Sequence, residues 1–452
     1  MDESFMKERA ILPLIASMAL PAVVSMIVNS LYNIVDSLFV AMISEQAMTA
    51  VSLVFPMQNF VNAVCIGFGV GLNAIISICL GAGQKGTADV AATHGVFLAV
   101  IHGLVMTAGC IWAVPSFLRA FTQDAGLIDL GLRYAVIVFA FSTILSVDLV
   151  YEKMFQAVGR MQVTMAGLSL GCLVNIIGDP ILIFGLGPIP AMGIEGAAWA
   201  TGLGQTVNLL FYAVVCHWRP LRVEVCRCHL HWDIELDKRL YGIGIPAALN
   251  MGLSSVFLVA LNHLLAPFSP TYIFILGVYY KLQTFLSMPT NGIIQGVRPL
   301  IGYNYGAGEL GRVRRIYRTT LFLNGLVMAA GLVICLAVPD VLMGWFTSRE
   351  ETIAAGASAL GIIAWGFVPS ALSITASGAL EGLGKGNPSF AITLLRYVVI
   401  SLPAAWLLCR VYGPDGVWHA FWIFECLAAL AAWKIYDHYA PAVTKERRRH
   451  EV

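Results

Sequence analysis

The sequence predicts an all-α polytopic membrane protein: twelve transmembrane helices in two pseudo-symmetric six-helix bundles. Three observations carry that expectation: the composition, a series of long uncharged runs, and an internal repeat. Of the 452 residues, 58% are hydrophobic and 12% charged, whereas soluble domains carry about 25% charged residues. The mean hydropathy of +0.79 suits a chain in contact with the lipid bilayer. The net charge of +1 gives no basis for a nucleic-acid partner.

A helix needs about 20 apolar residues to cross the hydrocarbon core, and twelve runs qualify. The first, 11–43, holds Pro21 and no charge except Asp36. A signal-peptide core is about 7–15 residues long, so this longer run reads as a retained helix. The second, 47–80, contains GFGVG at 67–71, small residues that let helices pack closely. The third is 93–114. The fourth, 131–156, carries Asp148 and Glu152 one turn apart, read as an internal pair with Lys153 or Arg160 near the inner interface. The fifth, 163–186, holds Asn175, Asp179 and Pro180; the sixth is 193–217. After the longest connection, 218–240, come 241–266 with Asn250 and His263, and 270–303 with Lys281 and Arg298. The last four are 317–338, 355–380 with Glu381 at its cytoplasmic edge, 389–411 with Arg396, and 416–438. The domains expected are an N-terminal lobe, 1–217, a cytoplasmic loop, 218–240, and a C-terminal lobe, 241–452.

With the N-terminus inside, nineteen Lys and Arg fall on cytoplasmic loops and ends. Only Arg119, Arg133, Arg349 and Arg410 fall outside. The excess of positive charge puts both termini in the cytoplasm, the KERRRH tail at 445–450 included. The ten cysteines lie mostly within apolar runs, where Cys acts as a small hydrophobe, and form no disulfide framework.

The halves match at a constant offset of 225. Pro21-Ala22 pairs with Pro246-Ala247, Met26 with Met251, Gln58 with Gln283, and Phe60 with Phe285. Gly67 and Gly71 pair with Gly292 and Gly296, Gly81-Ala82-Gly83 with Gly306-Ala307-Gly308, and Gly159 with Gly384. After a two-residue deletion, Gly193 and Trp199 meet Gly416 and Trp422. One register over so long a run is internal duplication. Six spans per copy gives both copies the same orientation, the parallel-repeat architecture of transporters, whose sites lie between the lobes.

Four segments carry a family resemblance: PAVVSMIVNSLYNIVDSLFV in the first run, NIIGDPILIFGLG at 175–187, GIEGAAWAT at 193–201 and QGVRPLIGYNYGAG at 295–308. Together they resemble the multidrug and toxic compound extrusion (MATE) family over nearly the whole chain. The resemblance implies a V-shaped pair of bundles, alternating access, and export of small organic, cationic compounds in exchange for H+ or Na+. It implies a multi-pass protein of the plasma membrane, here expected as a monomer, with no cofactor beyond the coupling ion. One departure stands out: Arg298 occupies a position where the family usually has an uncharged polar residue.

An unpaired charge at mid-membrane costs at least about 2.5–3.5 kcal/mol, so acids there point to function. Asp36 lies seven residues before Ile43, Asp179 seven before Leu186, and Thr201 eight after Gly193. At 1.5 Å per residue all three sit about 10–12 Å below the outer surface; Tyr134 is slightly shallower. Asn175 and Asp179 share a helix face, and Asn29, Asn33 and Asp36 form a second polar stripe. Pro180 leaves a carbonyl near Asp179 free. These oxygens suit a proton or Na+. The resemblance adds that H+-coupled archaeal members use an Asp, Asn, Asp, Thr and Tyr set, matched by Asp36, Asn175, Asp179, Thr201 and Tyr134.

The C-terminal lobe is expected to supply basic residues instead, and no acid in its seventh or tenth span. Substrate-cavity candidates are Asn33, Lys281, Gln283 and Arg298. Arg396 is expected to bond carbonyls or face the cavity. A lipid-linked oligosaccharide flippase of the same superfamily is the alternative, since basic residues would suit a pyrophosphate headgroup. Catalytic residues are not expected: HExxH, GxSxG and a phosphate-binding GxxxxGK[ST] are absent. The spacing of Cys226, Cys228, His229 and His231, with Cys216 and His217 nearby, does not match a usual zinc site, so no metal is expected either.

Overall fold

The computed structural model describes residues 4–231 and 233–440; the 445–450 tail lies outside them. In hydrocarbon no water bonds the backbone, so long apolar runs close their own hydrogen bonds as helices. The first half forms α1 (Ile11–Ile43), α2 (Glu45–Gly81), α3 (Lys85–Phe121), α4 (Ala125–Ala140 and Ser142–Ala157), α5 (Met161–Phe184) and α6 (Ile194–Trp218). The second forms α7 (Ile234–Leu265), α8 (Pro270–Gly306), α9 (Leu310–Ala337) and α10 (Glu350–Ile363 and Phe367–Gly382). It ends with α11 (Gly386–Leu394 and Ser401–Tyr412, joined by a π turn at Leu395–Ile400) and α12 (Pro414–Tyr439). Among the described residues nine of these helices are long and apolar enough to span a membrane, or ten with the bent pair of α4. The other two, α6 and α8, carry more Gly, Thr, Tyr and Asn.

The two pieces of α4 bend by 44° at Phe141. Thr107 Oγ1 donates to the Phe139 carbonyl at 2.9 Å, satisfying an acceptor beside the break. The Phe141 ring fills the space beside Gly202, where any Cβ would collide with it, and stands edge-on to Trp199.

The compact units do not divide at 217 and 241. One comprises Met1–Val23 with Ile245–Val452, the other Val24–Gly244. The start of α7, Ile234–Gly244, therefore belongs with the N-terminal repeat, and the start of α1, Ile11–Val23, with the C-terminal one. Glycine seams explain this. A Cβ on Gly71 would stand 2.6 Å from the Leu240 carbonyl, and one on Gly296 would stand 2.7 Å from Ala19 N. Without side chains at these positions the backbones approach closely. Gly71 and Gly296 are repeat mates, as are residues 19 and 244, so one contact is built twice.

The loop before α7 is tied to α3. His94 Nε2 donates to the His231 carbonyl at 2.7 Å, and Nδ1 meets Asp237 Oδ1 at 3.0 Å. Asp89 Oδ1 accepts from Glu224 N at 2.8 Å, and Lys85 Nζ pairs with Glu224 Oε1 at 2.8 Å. Arg160 donates to the carbonyls of Arg219 and Pro220.

Candidate functional site

Within the unit Val24–Gly244, α1, α2, α4, α5 and α6 bring the expected polar residues together. Asp36 and Asp179 are electrostatic neighbours. Asp179 is fully buried, and neither of its oxygens has a donor among the described residues. Asn175 Nδ2 donates to Thr201 Oγ1 at 3.3 Å, and Thr201 donates onward to the Ala197 carbonyl. The Asn175 Oδ1 atom is left unpaired. Tyr134, buried, accepts from Gln58 Nε2 at 3.3 Å and feels the charges of both aspartates. Arg133 Nε bonds Glu195 Oε1 at 2.5 Å and ties α4 to α6 beside Tyr134. All five expected ion-coupling residues thus belong to one cluster.

Two more residues join it. Tyr32, one turn before Asp36, is a neighbour of Thr201 and Asp36. Gln58 comes from α2. The close approach of α5 and α6 fixes the geometry: a Cβ on Gly204 would stand 2.7 Å from the Gly171 carbonyl, one turn before Asn175.

Two neighbouring carboxylates repel, and no basic side chain among the described residues is paired with either. At an effective dielectric of about 20, two bare charges 4 Å apart repel by about 4 kcal/mol. The cluster is therefore suited to one proton or one small hard cation. No group of three or more metal-ligating side chains occurs among the described residues, the Cys226–His231 stretch included.

The other candidates have local partners. Asn33 is exposed, and its side chain donates to the Asn29 carbonyl of its own helix at 2.6 Å. Lys281 is exposed and lies over the Phe346 ring at 5.7 Å. Gln283 lines a small cavity with Glu425. Arg298 is not a free cavity cation: its Nη2 pairs with Glu381 Oε2 at 2.6 Å, while Asn250 and Ser389 donate to Oε1. Arg396 bonds not carbonyls but Glu425, an acid whose pairing with it no spacing in the sequence suggests. The expected internal pairing on α4 is present: Lys153 and Gln156 bond Glu152 Oε1 at 2.7 and 2.6 Å, and Asn208 bonds Asp148.

Apolar spanning helices and a duplicated six-helix unit define an integral, multi-pass membrane protein. The MatE family model matches residues 21–181 and again 246–407, two copies whose starts differ by the repeat offset of 225. The chain belongs to the MatE family. It is 23% identical over 415 residues to the multidrug export protein MepA of Staphylococcus aureus, covering 92% of this chain and 91% of that one. The Staphylococcus saprophyticus protein of the same name is 22% identical over the same shares. Among solved structures, an outward-facing multidrug resistance MATE transporter of the MOP superfamily superposes with a TM-score of 0.91 at 23% identity. That match covers 98% of this chain and 99% of the other. A MOP superfamily transporter from Pyrococcus furiosus, described as having a binding pocket of reverse polarity, gives 0.89 at 23% identity over 97% and 98%. These likenesses establish the MATE fold for this chain.

Proposed function

We propose that this protein is a secondary antiporter that exports small organic cations across the plasma membrane in exchange for H+ or Na+, by alternating access. The observation that carries this reading is the Asp36–Asp179 pair, a half-buried and a fully buried carboxyl group with no basic partner among the described residues. A bound proton or Na+ relieves their repulsion. An ion shifts a conformational equilibrium only by its differential affinity for the two states. The coupling ion therefore binds the state in which the carboxyl groups meet and weakens it on leaving. The relatives named as multidrug export proteins support the substrate class. The excess of Lys and Arg supports cytoplasmic termini. The flippase reading is weakened, since two of its three basic residues, Arg298 and Arg396, have carboxylate partners, and it now rests on Lys281.

The test is efflux of a cationic dye from proteoliposomes under an imposed pH or Na+ gradient, applied one at a time. One of the two gradients is expected to drive efflux in the wild type and not in Asp36→Asn. Equal efflux in both proteins would end the proposal.

A further inference from the structure

The unit containing Ile245–Val452 holds a buried acid of its own, in the helix that repeats α6. Beyond the two-residue deletion the offset is 223, which puts Glu425 opposite Gly202, beside Thr201. Gln283 is the mate of Gln58. Arg396 falls opposite Gly171 or Leu173, the turn before Asn175, depending on where the deletion lies. Helices α8, α11 and α12 thus assemble a polar cluster where α2, α5 and α6 assemble theirs. Leu261 stands at the place of Asp36, and Leu402 or Ala404 at that of Asp179.

The second cluster is already neutral. Arg396 Nε reaches both Glu425 oxygens, at 2.9 and 3.0 Å, and Nη2 reaches Oε1 at 2.5 Å. Arg396 and Glu425 are only 7% and 5% exposed. Beside them is a small cavity, lined by Tyr279, Gln283, Ser370 and Glu425, with the dimensions of about one water. Arg396 occupies the π turn, where the extra residue re-aims a side chain. Ser401 Oγ caps the Arg396 carbonyl there. The titratable neighbours are Tyr279 and Tyr280 from α8, Tyr397 on α11 and Cys426 on α12.

We infer that Arg396 is a tethered cation: its guanidinium fills, at Glu425, the role that a mobile H+ or Na+ fills at Asp36 and Asp179. The second repeat carries its acid on the corresponding helices but at other positions, with its cation built in, and only the first site is open to an external ion. This rests on the coupling role proposed for Asp36 and Asp179, but its test does not read transport first. An arginine is always charged, so the second site holds its cation at every working pH.

The experiment is thermal unfolding of purified protein against pH and against Na+, for wild type, Arg396→Met and Arg396→Met/Glu425→Gln. Arg396→Met leaves a buried carboxylate without its counter-charge, so it is expected to gain several degrees on lowering pH or adding Na+, beyond the wild-type response. The double variant is expected to lose that added response. The same response in all three proteins would overturn the inference. If the single variant cannot be purified, ion-driven efflux by the double variant decides: wild-type ion dependence supports a tethered cation, and loss of coupling in a folded protein overturns it. Failure of Asp36→Asn to affect efflux would instead strike the coupling proposal and leave the unfolding result standing.

Discussion

Asp36 and Asp179 are held close by helices that have other reasons to be where they are. Replacing one carboxyl by an amide removes the like-charge contact and keeps the shape. Asp36→Asn is therefore expected to unfold at or above the wild-type temperature at alkaline pH, read by intrinsic fluorescence. A marked fall would show that the acid ties helices together instead. The two carboxyl groups are legible in the sequence because charge is so rare in these runs. Tyr32 and Gln58 are not, since Tyr and Gln are ordinary in such helices and only the fold turns them inward. The exposed pair in the loop before α7 gives a second prediction at this scale. The Cys226 thiol is pushed down by hydrogen bonds from the side chain and then the backbone N–H of Cys228, while the Cys228 thiol is pushed up by the same contact. The thiolate is the nucleophile, so Cys226 is expected to be alkylated faster than Cys228 near neutral pH, as mass spectrometry of the modified loop would show. Equal rates would contradict it.

At the scale of elements, glycines decide which helices touch. Gly204→Leu would drive a side chain into the Gly171 carbonyl and the Asn175 Cβ. Overpacking of this kind costs about 1–3 kcal/mol, and here it also displaces Asn175 from Thr201. Lower thermal stability together with weaker ion coupling is expected; unchanged behaviour of both would mean that the α5–α6 seam does not position the site. The helices themselves are largely legible: the run at 11–43 and α1 share both ends, and six others agree within about three residues, while α4, α7, α9 and α10 start five to seven residues earlier than their runs. The third run grows at both ends, to Lys85–Phe121, because a helix continues past the apolar stretch until a turn stops it. The break in α4 and the π turn in α11 leave no comparable trace, because both depend on neighbours such as Thr107, Gly202 and Ser401. Glu425 is overlooked for the same reason. One acid in FWIFECLAAL has no visible mate until folding brings Arg396 to it across 29 positions.

For the whole molecule, duplication is the feature that organises the rest. It is plain in the sequence as a register, yet the exchange of the starts of α1 and α7 between the compact units is not, since runs of apolar residues do not say which neighbour they meet. Orientation is open to a direct check with Cys226 and Cys228. A membrane-impermeant maleimide is expected to label them in inside-out vesicles and not in intact cells; the reverse pattern would invert the topology. The duplicated units also carry unequal charge, an open acid pair in one and an Arg–Glu pair in the other, so ion coupling is expected to belong to one unit alone.

The most direct measurement is ion uptake by purified protein, as protons or Na+ bound per molecule, in wild type, Asp36→Asn and Glu425→Gln. One ion per molecule is expected for the wild type and for Glu425→Gln, and none for Asp36→Asn. Undiminished uptake by Asp36→Asn would contradict a coupling site built from Asp36 and Asp179.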